Sequence, residues 1–133
     1  MSYKRATVSE QGLNRKARTG DGWLAHPRRT NQSTDSNQTI AAAAIAGGLY
    51  SRSGTNTNRT DTTDTAANIL AMFPEMDIGD TFVLVVSNPT AGTLTIQGGS
   101  GVTASGNLTI AATSRGFLVF EKTSATTMTA YGV

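Results

Sequence analysis

Apolar positions are spread unevenly along this chain. Up to residue 38 no period of 3.6 or 2 is sustained, and Gly12, Gly20, Gly22 and Pro27 interrupt any helix. The run RRTNQSTDSNQT (28–39) is polar and loop-like. Residues 1–38 therefore read as an extended arm and residues 39–133 as a folded body. The body opens on TIAAAAIAGGLYSRSG (39–54), a small-residue apolar run closed by a glycine pair. This fits one helical turn followed by a strand at 49–53. TNTNRTDTTDT (55–65) is expected to be a polar loop. The clearest helix lies at about 65–73, where Ala66, Ile69, Leu70 and Phe73 fall on one face, Asp64 or Thr65 caps the start and Pro74 stops it.

The remainder reads as strands. TFVLVVS (81–87) is apolar at successive positions, the pattern of a central strand covered on both faces. TLTIQ (93–97) and NLTIA (107–111) alternate, with Leu94, Ile96, Leu108 and Ile110 inward. GGSGVTASGN (98–107) is glycine-rich and leaves little room for a full strand. GFLVFE (116–121) and TTMTAYGV (126–133) complete the set. Short strands at about ten-residue spacing with turn signals between them predict an all-β fold, a β-sandwich or barrel.

Composition strengthens that picture. Charged residues make up only 15% of the 133-residue chain, and Thr, Ser, Asn and Gly supply its polarity. Threonine is β-branched and fits a pleated surface. Charge then separates the two regions. Residues 1–30 carry seven basic and two acidic side chains, a local balance of +5, whereas residues 31–133 come to −3. A basic arm on a mildly acidic body points to an anionic partner. The start, MSYKRATVSEQG, carries no apolar signal core, and the longest apolar run, 40–46, is far too short to span a bilayer. No membrane role is expected.

Catalytic chemistry finds little support. There is no Cys, so thiol catalysis, disulfides and Cys-ligated zinc are excluded. The one imidazole, His26, sits in the arm beside Pro27, a poor scaffold for a nucleophilic triad. Glu75, Asp77 and Asp80 in PEMDIGD have the oxygen ligands for calcium but not the spacing of an EF-hand, and a tight turn explains them better. The chain is expected to be no enzyme and to need no cofactor or metal. The chemistry-bearing set is Arg15, Lys16, Arg18, Trp23, Leu24, Arg28 and Arg29. Arginines around one Trp suit docking on an acidic protein surface, with Trp23 and Leu24 as the apolar anchor. The same set also suits neutralising phosphates and stacking a base, although no nucleic-acid-binding motif accompanies it.

The body also carries a resemblance. TIAAAAIAGGLYSRSG, then NRTDTTDTAANILAMFPEMDIGDTFVLVVSNPTAGTLTIQGGSGVT, then a final strand ending in AYGV resemble small tailed-phage capsid decoration (cement) proteins and related head-fibre modules. The likeness covers about 70% of the chain, residues 39–133, and leaves out the arm. It implies a β-sandwich or jelly-roll-like body that commonly forms homotrimers on a capsid surface. It implies a structural virion protein made in the host cytoplasm, with the major capsid protein as partner; the arm, read from its own arginines and Trp23, is then expected to dock on the shell. A coat-type accessory protein whose arm binds the genome, and a fibre or adsorption module, are the alternatives.

Overall fold

The computed structural model describes residues 27–54 and 56–132. Among them are ten strands and two short helices. The strands are β1 (Arg28–Gln32), β2 (Thr39–Ile40), β3 (Gly48–Arg52), β4 (Arg59–Thr63), β5 (Thr81–Asn88), β6 (Leu94–Gln97), β7 (Val102–Gly106), β8 (Thr109–Ile110), β9 (Ser114–Lys122) and β10 (Met128–Gly132). The helices are α1 (Ala42–Gly47) and α2 (Ala66–Ala71). The fold is mostly β, as the strand spacing predicted.

The strands form a six-stranded sheet, β1-β3-β5-β9-β10-β7, and a four-stranded sheet, β2-β4-β6-β8. From β1 to β6 the chain alternates between them, one strand in each. β1, β3 and β5 pair in parallel in the large sheet, and β2, β4 and β6 pair in parallel in the small one. This half winds as a two-sided coil. The rest closes it with antiparallel pairs, β5–β9, β9–β10 and β6–β8, while β7 returns parallel to β10. A jelly roll is built from antiparallel Greek keys, so the jelly-roll half of the expectation does not fit this ladder pattern.

One core lies where the buried faces of both sheets meet. β5 shows the cause: Phe82, Leu84 and Val86 alternate inward, and β9 answers in register with Phe120, Leu118 and Gly116. Ile40, Leu94, Ile96 and Ile110 of the small sheet join the same cluster. Phe82 stacks on Phe120 with centroids 5.1 Å apart and lies 4.4 Å from Phe73. Each such aromatic pair adds about 0.5–1.5 kcal/mol beyond its burial.

The helices follow their sequence signals. In α2 the Thr65 side chain accepts the Asn68 amide, and Ala66 and Ile69 are buried. Asp64 acts beside that cap, accepting from the Thr65 amide, the Asn68 side chain and the Ala42 amide. The Asn68 bond and the two amides hold its carboxyl below the usual carboxylate range. α1 ends at Gly48, whose φ of 88° is a left-handed cap that only glycine adopts without strain.

Several expectations are corrected. β4 occupies residues expected to be a polar loop, and β7 is a strand inside the glycine-rich stretch. β5 is buried on one face only, since Val83 on the other is 50% exposed. The stretch 28–39, read as arm and loop, begins with β1, which pairs with β3 from Arg28↔Gly48 to Gln32↔Arg52. Residues 32–38 are then bonded to the body, as described next.

Candidate interaction surface and the buried polar lock

Two features of the body hold polar or apolar groups in unusual places. The first is buried. On β3, Tyr50 and Arg52 alternate onto the inner face, and Asp61 of β4 meets them from the other sheet. Arg52 Nε lies 2.8 Å from Asp61 Oδ2, with both side chains fully buried. Tyr50 donates its hydroxyl to the same oxygen at 2.7 Å. The Gln38 amide donates to Asp61 Oδ1 at 2.9 Å. The rest of the guanidinium donates to backbone: Thr34 O at 2.7 Å, Gln32 O at 3.4 Å, Ser53 O at 3.3 Å, and Ser36 O. Burial first, and then the bond to the Asp61 carboxylate and its charge, push the Tyr50 hydroxyl far above its ordinary pKa. Tyr50 therefore stays neutral and donates. Outside the core, Arg59 pairs with Asp35 at 2.6 Å and secures the same 33–38 loop.

Every nitrogen of the Arg52 guanidinium and both oxygens of the Asp61 carboxylate have a hydrogen-bond partner. A buried ion pair stabilises a fold only when its remaining hydrogen-bonding capacity is met, and here backbone carbonyls and an amide meet it. Its chemical role is to fasten the 32–38 segment across β3 and β4. Asn88 does similar work at the far end of β5: fully buried, it donates to the carbonyls of Gly92, Ile110 and Ala111 and accepts from Thr90.

The second feature is exposed. The outer face of the six-stranded sheet carries Leu49, Val83, Val85, Phe117, Val119 and Tyr131 on four adjacent strands. Registers Leu49↔Val85, Val85↔Phe117, Val83↔Val119 and Tyr131↔Val119 make them neighbours. Phe117 is 53% exposed, Val83 50% and Tyr131 39%. Arg115 and Ser87 flank this patch at one end of the strands, and Glu121 with Thr81 flanks it at the other. The Tyr131 hydroxyl donates to Glu121 Oε1 at 2.6 Å, and that bond raises the tyrosine pKa. An apolar patch of this kind on a sheet face is a candidate interaction surface. Beside Val83, an apolar cleft of about 210 Å³ opens between Pro27, Ile45, Gly48, Phe73 and Phe82.

The arginines expected to bind a partner divide between two places. Arg28 and Arg29 lie on β1 at the edge of this sheet, both exposed, with Arg29 beside Leu49. Arg15, Lys16, Arg18, Trp23 and Leu24 lie outside the described residues, as does His26. Glu75, Asp77 and Asp80 form a tight turn: Asp80 accepts the Asp77 amide at 2.8 Å, and Gly79 takes a φ of 95°. Among the described residues no three His, Cys, Asp or Glu side chains gather where they could hold a metal ion. Sequence reasoning missed Arg52 and the outer patch. The signal for Arg52 was its period-2 spacing from Tyr50, which places both on one face of a strand. Among the described residues no helix is long and apolar enough to cross a membrane. No family model, curated protein or solved structure matches this chain.

Proposed function

We propose that this chain is a structural virion protein that decorates and stabilises a phage capsid, its two sheets forming a sandwich-like body and its basic N-terminal segment docking on the shell. The observation that carries this reading is the anchoring of β1. Residues 1–30 carry a balance of +5, and the last three of them, Arg28, Arg29 and Thr30, belong to a strand paired along its length with β3. The loop after that strand is fastened by Arg52 and Arg59. A basic segment fixed in this way transmits load to a rigid body, which suits a cementing role. The outer sheet face adds a second contact surface, suited to a homo-oligomer. The virion setting itself comes from the resemblance of residues 39–133 to decoration proteins.

The test is co-sedimentation of the full chain with purified empty shells. Wild type is expected to pellet with shells. Trp23→Ala and the pair Arg28→Glu with Arg29→Glu are expected to stay in solution, because both arginines are exposed on an edge strand and can change without unfolding it. Binding to free DNA with a steep salt dependence, and none to shells, would move the assignment to a genome-binding accessory protein.

A further inference from the structure

The outer face of the six-stranded sheet has a charge pattern that specifies its occupant. We infer that a second copy of this chain covers it, face to face, about a two-fold axis that runs across the strands and lies in the interface between Phe117 and Val119. This makes the homo-oligomer contact a two-fold one, in place of the homotrimer that the resemblance implies, and rests on the proposed function only for its biological purpose.

Four positions of β9 point outward: Arg115, Phe117, Val119 and Glu121. A two-fold contact between sheet faces must match the patch with itself, and two orientations are available. With the axis along the strands, Arg115 meets Arg115 of the partner copy and Glu121 meets Glu121 when the axis lies over β9, and they meet Ser87 and Thr81 of that copy when it lies between β5 and β9. With the axis across the strands, the partner's strands run in reverse, and every row meets the row on the other side of the centre. Arg115 then faces the partner's Glu121, twice by symmetry. The rows are set by the register: Val85 with Phe117, Val83 with Val119, Ser87 with Arg115, and Thr81 with Glu121. Phe117 therefore lies over the partner's Val119 and Val85 over the partner's Val83, a large residue facing a smaller one in the centre. Ser87 faces Thr81 of the partner at the rim. Only the second orientation pairs opposite charges while keeping the apolar rows in contact; Arg29, beside Leu49 on the same face, lies on the edge strand β1, outside the four strands in contact.

The groups at the rim are available for this. Among the described residues, Arg115 has no carboxylate partner, and Tyr131 engages only one oxygen of Glu121. Aligned sheets pack about 10 Å apart, the distance at which such side chains interdigitate. Four strands by four outward rows cover roughly 500 Å² of sheet per copy. That lies toward the lower end of specific interfaces, so the dimer is expected to be reversible.

Sedimentation velocity on the full chain over a wide concentration range tests the inference. Wild type is expected to show a monomer–dimer equilibrium. Phe117→Asp, at a position already half exposed, should weaken the dimer at least about 100-fold with an unchanged circular dichroism spectrum. Arg115→Glu and Glu121→Arg should each weaken it about 10-fold or more by placing like charges together. The double variant carrying both exchanges should return to within about 3-fold of wild type, and that rescue is specific to the reversed orientation. A wild type that stays monomeric throughout would overturn the inference, leaving the face to the chain's own N-terminal segment or to the shell. So would a trimer, single exchanges without effect, or a double exchange without rescue. Shell binding is measured separately, so failure there leaves the dimer result standing, and the reverse holds too.

Discussion

Replacing Asp61 with Ala tests whether the buried lock holds the body together. The substitution removes the acceptor of Arg52 Nε, the Tyr50 hydroxyl and the Gln38 amide in one step. The guanidinium then loses the one carboxylate that faces it. Its other nitrogens keep their carbonyls, so the main cost is an uncompensated charge in a fully buried side chain. Removing one partner of such a pair costs about 3–5 kcal/mol. The stranded tyrosine hydroxyl adds about 1–3 kcal/mol where no water reaches it. Total stability of a domain is about 5–15 kcal/mol, so the variant should be marginal. At about 3–5 °C per kcal/mol for a chain of this size, Tm should fall by about 15 °C or more. Urea unfolding followed by circular dichroism gives the free energy directly. The double variant Arg52→Met with Asp61→Leu should be more stable than Asp61→Ala alone, because no buried charge remains. The carbonyls of Thr34 and Ser36 that lose Arg52 lie in an exposed loop and can turn to water. A loss below about 1 kcal/mol for Asp61→Ala, or a double variant less stable than the single, would refute the lock.

Three further outcomes follow from the same structure. Asn88→Asp keeps the side chain's shape but turns a donor toward three carbonyls into an acceptor, so it should cost several kcal/mol in urea unfolding, well beyond a surface change. Tyr50 is held neutral in the fold, so its raised pKa stabilises below the ordinary tyrosine value, and that stability is lost as the unfolded state ionises above about pH 10. Stability of the wild type should fall there by up to about 1.4 kcal/mol per pH unit from this group, and Tyr50→Phe should flatten the alkaline limb while losing some stability at neutral pH. Asp64 has the opposite sign: its lowered pKa stabilises above the ordinary carboxylate value and is lost as pH falls below about 4. Wild type and Asp64→Ala should therefore differ at pH 7 and converge in thermal melts near pH 2.

The sequence revealed elements whose signal is local. Thr65 before an apolar face and Pro74 after it define α2 within two residues, and the alternation in TLTIQ and GFLVFE marks β6 and β9. β1, β4 and β7 were missed for a shared reason. RRTNQ, RTDTT and VTASG have almost no apolar alternation, and each lies parallel to a strand distant in sequence. Their strand state comes from ladder bonds and from inward polar groups such as Asp61 and Thr63. A hydrophobic pattern records neither. The lock was hidden likewise: an Arg–Asp pair nine residues apart in a polar stretch resembles a solvated surface until two sheets close over it.

The apolar character of TFVLVVS on both faces has a different standing. An apolar run predicts that both faces are covered, yet in the single chain the outer face of β5 is open at Val83. The disagreement disappears if a second copy supplies the cover, since Val85 and Val83 then meet their counterparts. The same geometry bears on the basic segment. An axis across the strands stacks each strand over its own counterpart, so both copies of β1 lie along one edge of the pair. The residues that precede β1, with a balance of +3 over 1–27, are then joined to the same edge in both copies. Two linked segments that reach neighbouring acidic sites on a lattice gain avidity that neither has alone. Dimerisation and shell binding are therefore expected to be coupled: Phe117→Asp, which touches no basic residue, should weaken capture by shells while leaving one-to-one contact with an isolated capsid subunit unchanged.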